Sequence, residues 1–174
     1  MSENITQKIS TAIDEISLKK ERDHMASNSF ILDKNGIINN LKVNSKKQLL
    51  QEISTRAEKI YNINPKLSFE LLQQRERLGS TGIGNGVAVP HAKLPNLEFT
   101  SGLFIRLSNS IDFESVDGLP VDLIFTLFAP HSSSGDHLKA LSQISRLLGD
   151  EKMRDKIRGT RNTDALYVLL AQFE

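Results

Sequence analysis

Between Ser45 and Tyr61 the apolar side chains Leu49, Leu50, Ile53, Ala57 and Ile60 recur three and four residues apart, with polar residues filling the gaps. That period predicts an amphipathic helix with one face on a core, and Ser45 or Asn44 supplies its N-cap. Asn64-Pro65 fits the cap and first turn of a second helix, carried by Leu67, Leu71 and Leu72 and stopped at Gly79. The pattern then changes. Leu103 to Leu107 and Val121 to Phe128 are rich in β-formers and apolar at nearly every position, as in strands covered on both faces. Leu138, Leu141, Ile144, Leu147 and Leu148 return to helical spacing and end near Gly149, and Leu166, Val168, Leu169 and Leu170 predict a final helix. Helices alternating with doubly covered strands define an α/β sandwich around a mixed sheet.

The N-terminal segment stands apart. Ile5, Ile9, Ile13 and Ile16 carry helical spacing over residues 1 to about 22, and Asp23-His-Met-Ala-Ser27 resembles a cloning junction ahead of a second start methionine. Residues 1–27 are therefore expected to be an extension, either vector- or fusion-derived or a native amphipathic helix that docks on the domain or pairs with another copy. Residues 28–174 are expected to form one domain. No repeat, low-complexity tract or interdomain linker interrupts them, and Ser132-Ser-Ser-Gly135 is expected to be a loop.

Composition narrows the classes. A chain of 174 residues with 39% hydrophobic content can build a core without staples. Without cysteine there is no disulfide, thiolate nucleophile or cysteine metal cage, which fits a reducing compartment. No apolar run approaches a membrane span and no signal-peptide core precedes the domain, so a soluble, cytoplasmic protein is expected. A net charge of +1 provides no global field for nucleic acid, and DNA binding is disfavoured.

The stretch from Arg75 to His91 carries the chemistry. Glycines at 79, 82, 84 and 86 allow backbone conformations closed to other residues and let the main chain approach an anion. Val87-Ala88-Val89 reads as a brief strand, and Pro90 should stop it where the imidazole of His91 begins. Neutral imidazole is a nucleophile at physiological pH, whereas aspartate, serine and lysine need activation. Phosphoryl transfer asks mainly for in-line positioning and dispersed donors. Candidate donors are the backbone N–H groups of the glycine-rich turn, the hydroxyls of Ser80 and Thr81, and the Arg75 guanidinium. His137 opens a helix, near an end that favours an anion. Nδ1 of His91 is expected to donate to a backbone carbonyl, leaving Nε2 free to attack.

Gly79-Ser-Thr-Gly-Ile-Gly-Asn-Gly-Val-Ala-Val-Pro-His-Ala92 resembles the active-site signature of the enzyme IIA components of the bacterial phosphotransferase system, in the fructose/mannitol class that includes the nitrogen-related regulatory protein. A second block, Ile111 to Phe125 with Ala129-Pro130, and a third, Asp136 to Leu148, resemble the same family in the same order, so the similarity runs from about Phe30 to the C-terminus. The resemblance implies a three-layer sandwich, a mixed sheet flanked by helices on both faces. It implies that His91 accepts a phosphoryl group at its outer ring nitrogen, as a tele-phosphohistidine, with Arg75 and His137 in contact and Ser80, Thr81 and Gly82 around the phosphate. It also implies an HPr-like phosphocarrier as donor and no cofactor. A free-standing domain with this version of the loop leans toward the nitrogen- and potassium-linked regulatory branch.

Other readings remain beside this one. A sugar-specific IIA would pass the group to a cysteine on a IIB component. A binding module would regulate a potassium transporter or sensor kinase, with phosphorylation as its switch. Arg77 competes with Arg75 for the cationic role, and Ser80 and Thr81 have a purely turn-shaping alternative. His24 and His131 read as surface histidines. The acidic residues of the Ile111 to Asp122 block read as turn and strand-edge features, with Asp122 placed to orient a partner group. There is no Walker loop, no dinucleotide-binding fingerprint, no nucleophile elbow and no metal-binding frame around His131 and His137.

Overall fold

The computed structural model describes residues 29–133 and 135–171. The N-terminal helix expected from Ile5 to Ile16, and His24, lie outside the described residues. In chain order the elements are β1 (Ile31–Leu41), α1 (Lys46–Tyr61), α2 (Pro65–Arg77), β2 (Gly82–Gly84), β3 (Val87–Ala88), β4 (His91–Leu94), β5 (Ser101–Ile111), β6 (Val121–Pro130), α3 (Gly135–Gly149), α4 (Glu151–Gly159) and α5 (Thr163–Ala171).

Local chemistry sets the helix ends. The Ser45 side chain accepts from the Gln48 N–H and Asn62 closes α1 in the left-handed region. Asn64 caps α2, with Pro65 at its first position, and the helix gives way at Leu78 before Gly79. Tyr61, at the end of α1, donates from its hydroxyl to the Gly102 carbonyl at 2.8 Å and accepts from the Asp33 N–H at 3.0 Å, tying α1 to the sheet. Burial raises its pKa, so the phenol remains neutral.

The strand order is β1-β5-β6-β3-β2, and β4 also pairs with β6. β5 and β6 run antiparallel, whereas β1 lies parallel to β5, and β3 and β4 lie parallel to β6. Alternation along the central strands divides the core in two. Leu103, Ile105, Ile124 and Phe128 face Leu49, Ile53 and Ala57 of α1 and Leu72 of α2. Phe104, Leu123, Phe125 and Leu127 face Ala140, Ile144 and Leu148 of α3, Ile157 of α4 and Leu166 and Leu170 of α5. Both faces of the sheet are covered, which gives the expected three-layer sandwich around a mixed sheet.

Two elements bear directly on the site. The glycine-rich stretch is a small hairpin, with Gly82 opposite Ala88 and Gly84 opposite Val87. Its turn, Asn85-Gly86, has positive φ at both residues (57° and 79°), the combination that matches the twist of the flanking strands. The strand expected to end at Pro90 does break there, but it resumes at once as β4: Val87 and Ala88 align with Leu123 and Ile124, and His91 and Ala92 with Leu127 and Phe128. Pro90 has no N–H to give, and its carbonyl accepts from the Leu127 N–H at 3.1 Å. The interruption is one step in a longer ribbon. Among the described residues no helix is long and apolar enough to cross a membrane.

Candidate active site

The break in the β3–β4 ribbon turns the Val89 main chain toward the histidine two residues later. Its N–H donates to the Thr81 carbonyl at 2.9 Å, and its carbonyl lies 2.8 Å from Nδ1 of His91. On the other side of the ring, the Arg75 Nε–H donates to Nε2 at 3.1 Å. An N–H donor at Nε2 requires a lone pair there, so Nδ1 carries the proton and donates it to Val89. The tautomer is fixed from both sides.

Arg75 is itself held in place, because Nη1 donates to the Gly79 carbonyl at 2.9 Å. Arg77 turns away and donates to Gln73 at 3.1 Å on the exposed face of α2, so of the two arginines Arg75 is the one brought to the imidazole. Burial lowers the His91 pKa, and the Arg75 charge pushes the same way, against opposing contributions from the Val89 carbonyl and the negative charge of Glu76. A neutral imidazole with an outward lone pair results.

His137 comes from the first turn of α3, and its ring centroid lies 5.4 Å from that of His91. The residue is 7% exposed, and Nδ1 is buried without a hydrogen-bond partner among the described residues. Burial, then the neighbouring His91 and Lys93, lowers its pKa to about 4. A donor-capable ring at a helix N-terminus, short of one partner, suits an anion arriving between the two histidines.

The loop groups expected around the phosphate are already engaged. The Ser80 hydroxyl donates to the Phe113 carbonyl at 2.8 Å and accepts from the Gly82 N–H at 3.1 Å. The Thr81 hydroxyl donates to Oε1 of Glu76, and the Thr81 N–H donates to Oε2 at 3.2 Å. These bonds hold the loop in shape, and phosphate contact by Ser80, Thr81 or the Gly82 N–H would exchange one of them.

The acidic loop between β5 and β6 clasps the hairpin from outside. The Asp117 carboxylate accepts from Asn85 N–H at 2.8 Å and from Leu119 N–H at 3.1 Å, and these bonds lower its pKa. Val116 N–H donates to the Gly82 carbonyl at 3.3 Å. Asp122 pairs with Arg158 of α4 through two bonds of 2.7 and 2.9 Å, and Arg158 also reaches the Asn85 carbonyl. Asp122 therefore orients an arginine at the hairpin turn. His131 is exposed, and among the described residues no group of three His, Asp or Glu side chains is placed to hold a metal ion.

Two residues near the site escaped the sequence reading, Glu76 and Lys46. Glu76 follows Ser68 and Leu72 at four-residue steps on the buried face of α2, and that periodicity was the available signal. Lys46, on the first turn of α1, carried none.

The family model described as the phosphoenolpyruvate-dependent sugar phosphotransferase system, EIIA 2, matches residues 30–173. The chain belongs to this family, whose members take part in phosphoryl transfer. It is 54% identical over 131 residues to the nitrogen regulatory protein of Bradyrhizobium diazoefficiens, covering 75% of this chain and 86% of that one. The crystal structure of nitrogen regulatory protein IIA-Ntr from Neisseria meningitidis superposes with a TM-score of 0.77 at 34% identity, over 80% of this chain and 96% of that one. The mannitol IIA of Escherichia coli shares the fold, with a TM-score of 0.69 at 21% identity, over 81% of this chain and 99% of that one.

Proposed function

We propose that the chain is a phosphoryl carrier of the nitrogen-regulatory branch, in which Nε2 of His91 accepts a phosphoryl group from the phosphohistidine of an HPr-like protein. The observation that carries this reading is the double restraint on His91, with Val89 holding the Nδ1 proton and Arg75 marking the Nε2 lone pair. In the transfer, the Nε2 lone pair forms the new N–P bond while the donor's N–P bond breaks and its electron pair returns to the donor ring. The His91 ring keeps its Nδ1 proton on the Val89 carbonyl throughout.

Arg75 then has two positions. Before transfer its Nε–H occupies the lone pair; during transfer it shifts onto the phosphoryl oxygens, where a planar guanidinium disperses the charge. His137 contributes from the ring that lies 5.4 Å from His91, in the first turn of α3. Ser80, Thr81 and the Gly82 N–H shape the loop at rest, and each can turn to the phosphate by exchanging one of these bonds. The regulatory branch is favoured by 54% identity to a protein named for nitrogen regulation. These 174 residues contain no cysteine to take the group onward, and a IIB component, a potassium transporter or a sensor kinase is the proposed reader of the phosphorylated state.

The test is incubation with phosphoenolpyruvate, enzyme I and an HPr-like donor, followed by intact mass and acid-lability measurements. One acid-labile phosphoryl group, lost in His91→Ala, is expected. An adduct that survives this substitution contradicts the reading.

A further inference from the structure

Glu76 is a buried carboxylate that the transfer step does not use, placed next in sequence to the arginine that it does. Its side chain is 5% exposed, and both oxygens are occupied. Oε1 accepts from the Thr81 hydroxyl, while Oε2 accepts from the Thr81 N–H and lies 2.8 Å from Lys46 Nζ. Lys46 is equally committed. It reaches the Phe113 carbonyl at 3.3 Å and Glu114 at 3.1 Å, and its ammonium stands 4.5 Å from the centre of the Phe113 ring. Burial alone would lower its pKa, but the hydrogen bonds to Glu76 and Glu114 outweigh this and raise it.

These contacts join four segments at one point: the start of α1, the end of α2, the loop before the hairpin, and the loop after β5. The same loops hold the active imidazole. Thr81, gripped by Glu76, accepts the Val89 N–H through its own carbonyl, and Val89 in turn holds Nδ1 of His91. Ser80 donates to the same Phe113 carbonyl that Lys46 contacts. On the helix side, Glu76 fixes the last turn of α2, from which Arg75 extends to Nε2.

From this arrangement we infer that the Lys46–Glu76 ion pair is a positioning device for phosphoryl transfer, setting both restraints on the His91 ring from beneath the site. A buried ion pair adds little net stability over a well-packed apolar pair, so its value lies in fixing one geometry. Misplacement of a reacting group by about 1 Å costs on the order of a hundredfold in rate. Glu76 and Lys46 touch no reacting atom; they act through Thr81, Val89 and Arg75.

This inference rests on the phosphocarrier reading for its rate effect, so its test has an arm that needs no phosphorylation. Nitrogen-15 NMR of the His91 ring in unphosphorylated protein reads the tautomer. Wild type is expected to show the Nδ1–H form alone, and Glu76→Gln a mixture of both tautomers. Lys46→Met/Glu76→Met leaves no unpaired buried charge and guards against a folding defect; it is expected to show the same mixture. In single-turnover transfer from the HPr-like donor, both variants are expected to be slower by roughly ten- to a hundredfold at saturating donor, with the donor KM unchanged. A folded double variant with wild-type rate and tautomer overturns the inference, as does a defect confined to KM. If wild type forms no phosphohistidine, the carrier reading fails instead, and the tautomer ratio still decides whether the pair positions His91.

Discussion

The Arg75 Nε–H is directed at Nε2 of His91 across 3.1 Å, so the arginine occupies the lone pair that the proposed transfer would use. The two residues come from separate parts of the fold, the last turn of α2 and the first residue of β4, brought together by the loop and hairpin between them. On the proposed mechanism, Arg75 has to leave this lone pair before His91 can react.

Replacing Arg75 with lysine keeps the charge but removes the planar fork. Arg75→Lys is expected to fold normally and to slow phosphoryl transfer by roughly ten- to a hundredfold, with a shorter adduct lifetime. Rapid-quench kinetics with thermal denaturation of the same samples checks both parts. Wild-type kinetics would remove Arg75 from the reaction.

His137 links stability to pH. Its pKa is about 4 in the folded chain against an ordinary 6.5, so between those values the unfolded chain binds the additional proton. Its contribution is complete above about pH 6.5, declines as the pH falls, and is exhausted below about pH 4. The lowered pKa of His91 acts in the same sense. At about 1.4 kcal/mol per pH unit, the His137 contribution is on the order of 3 kcal/mol. Urea denaturation at pH 7 and pH 4.5 should show wild type losing more stability than His137→Asn over that interval. Parallel losses in the two proteins would contradict it.

Gly82 illustrates a glycine required for space. A Cβ there would overlap the Ser115 hydroxyl and come within 2.9 Å of the Ser115 Cα, a backbone atom that cannot swing aside. Gly82→Ala is expected to cost roughly 1–3 kcal/mol and to slow transfer by displacing the loop against the hairpin. Denaturation midpoints and transfer rates measured together test this. An alanine variant matching wild type in both would show that the clasp is slack.

Gly86 is required for two reasons. Its φ of 79° disfavours a side chain, and a Cβ would meet the Arg158 guanidinium and lie 2.7 Å from Oδ1 of Asp122. Gly86→Ala is expected to destabilise the fold by more than Asn85→Ala, by about 1 kcal/mol or more in urea denaturation. Equal losses would mean that the Arg158–Asp122 pair moves freely.

The helices and central strands were legible because their burial is periodic. Leu49, Ile53 and Ala57 mark α1 by spacing alone, and β5 and β6 betray two-sided cover because Leu103 to Leu107 and Val121 to Phe128 are apolar at nearly every position. β1 was not, since Asp33, Lys34 and Asn35 interrupt its apolar residues and its pairing with β5 shifts register. α4 was missed for a related reason: only Arg154 and Ile157 are buried in a nine-residue helix whose other residues are mostly charged. The hairpin had its signal in Asn85-Gly86, but the density of glycines read as an anion cradle instead. At the site, spacing and resemblance named His91, Arg75 and His137, and the structure brings the three together. The Lys46–Glu76 pair was invisible because its partners are 30 residues apart and a charged residue reads as exposed until a fold buries it.

If Val89 and Arg75 fix the ring as proposed, Nε2 of His91 is the acceptor. Nitrogen-15 NMR of the phosphorylated protein, labelled at histidine, identifies the nitrogen that carries phosphorus. Phosphorus is expected on Nε2 of His91, with Nδ1 retaining its hydrogen bond to Val89. Phosphorus on Nδ1 of His91, or on His137, would contradict it.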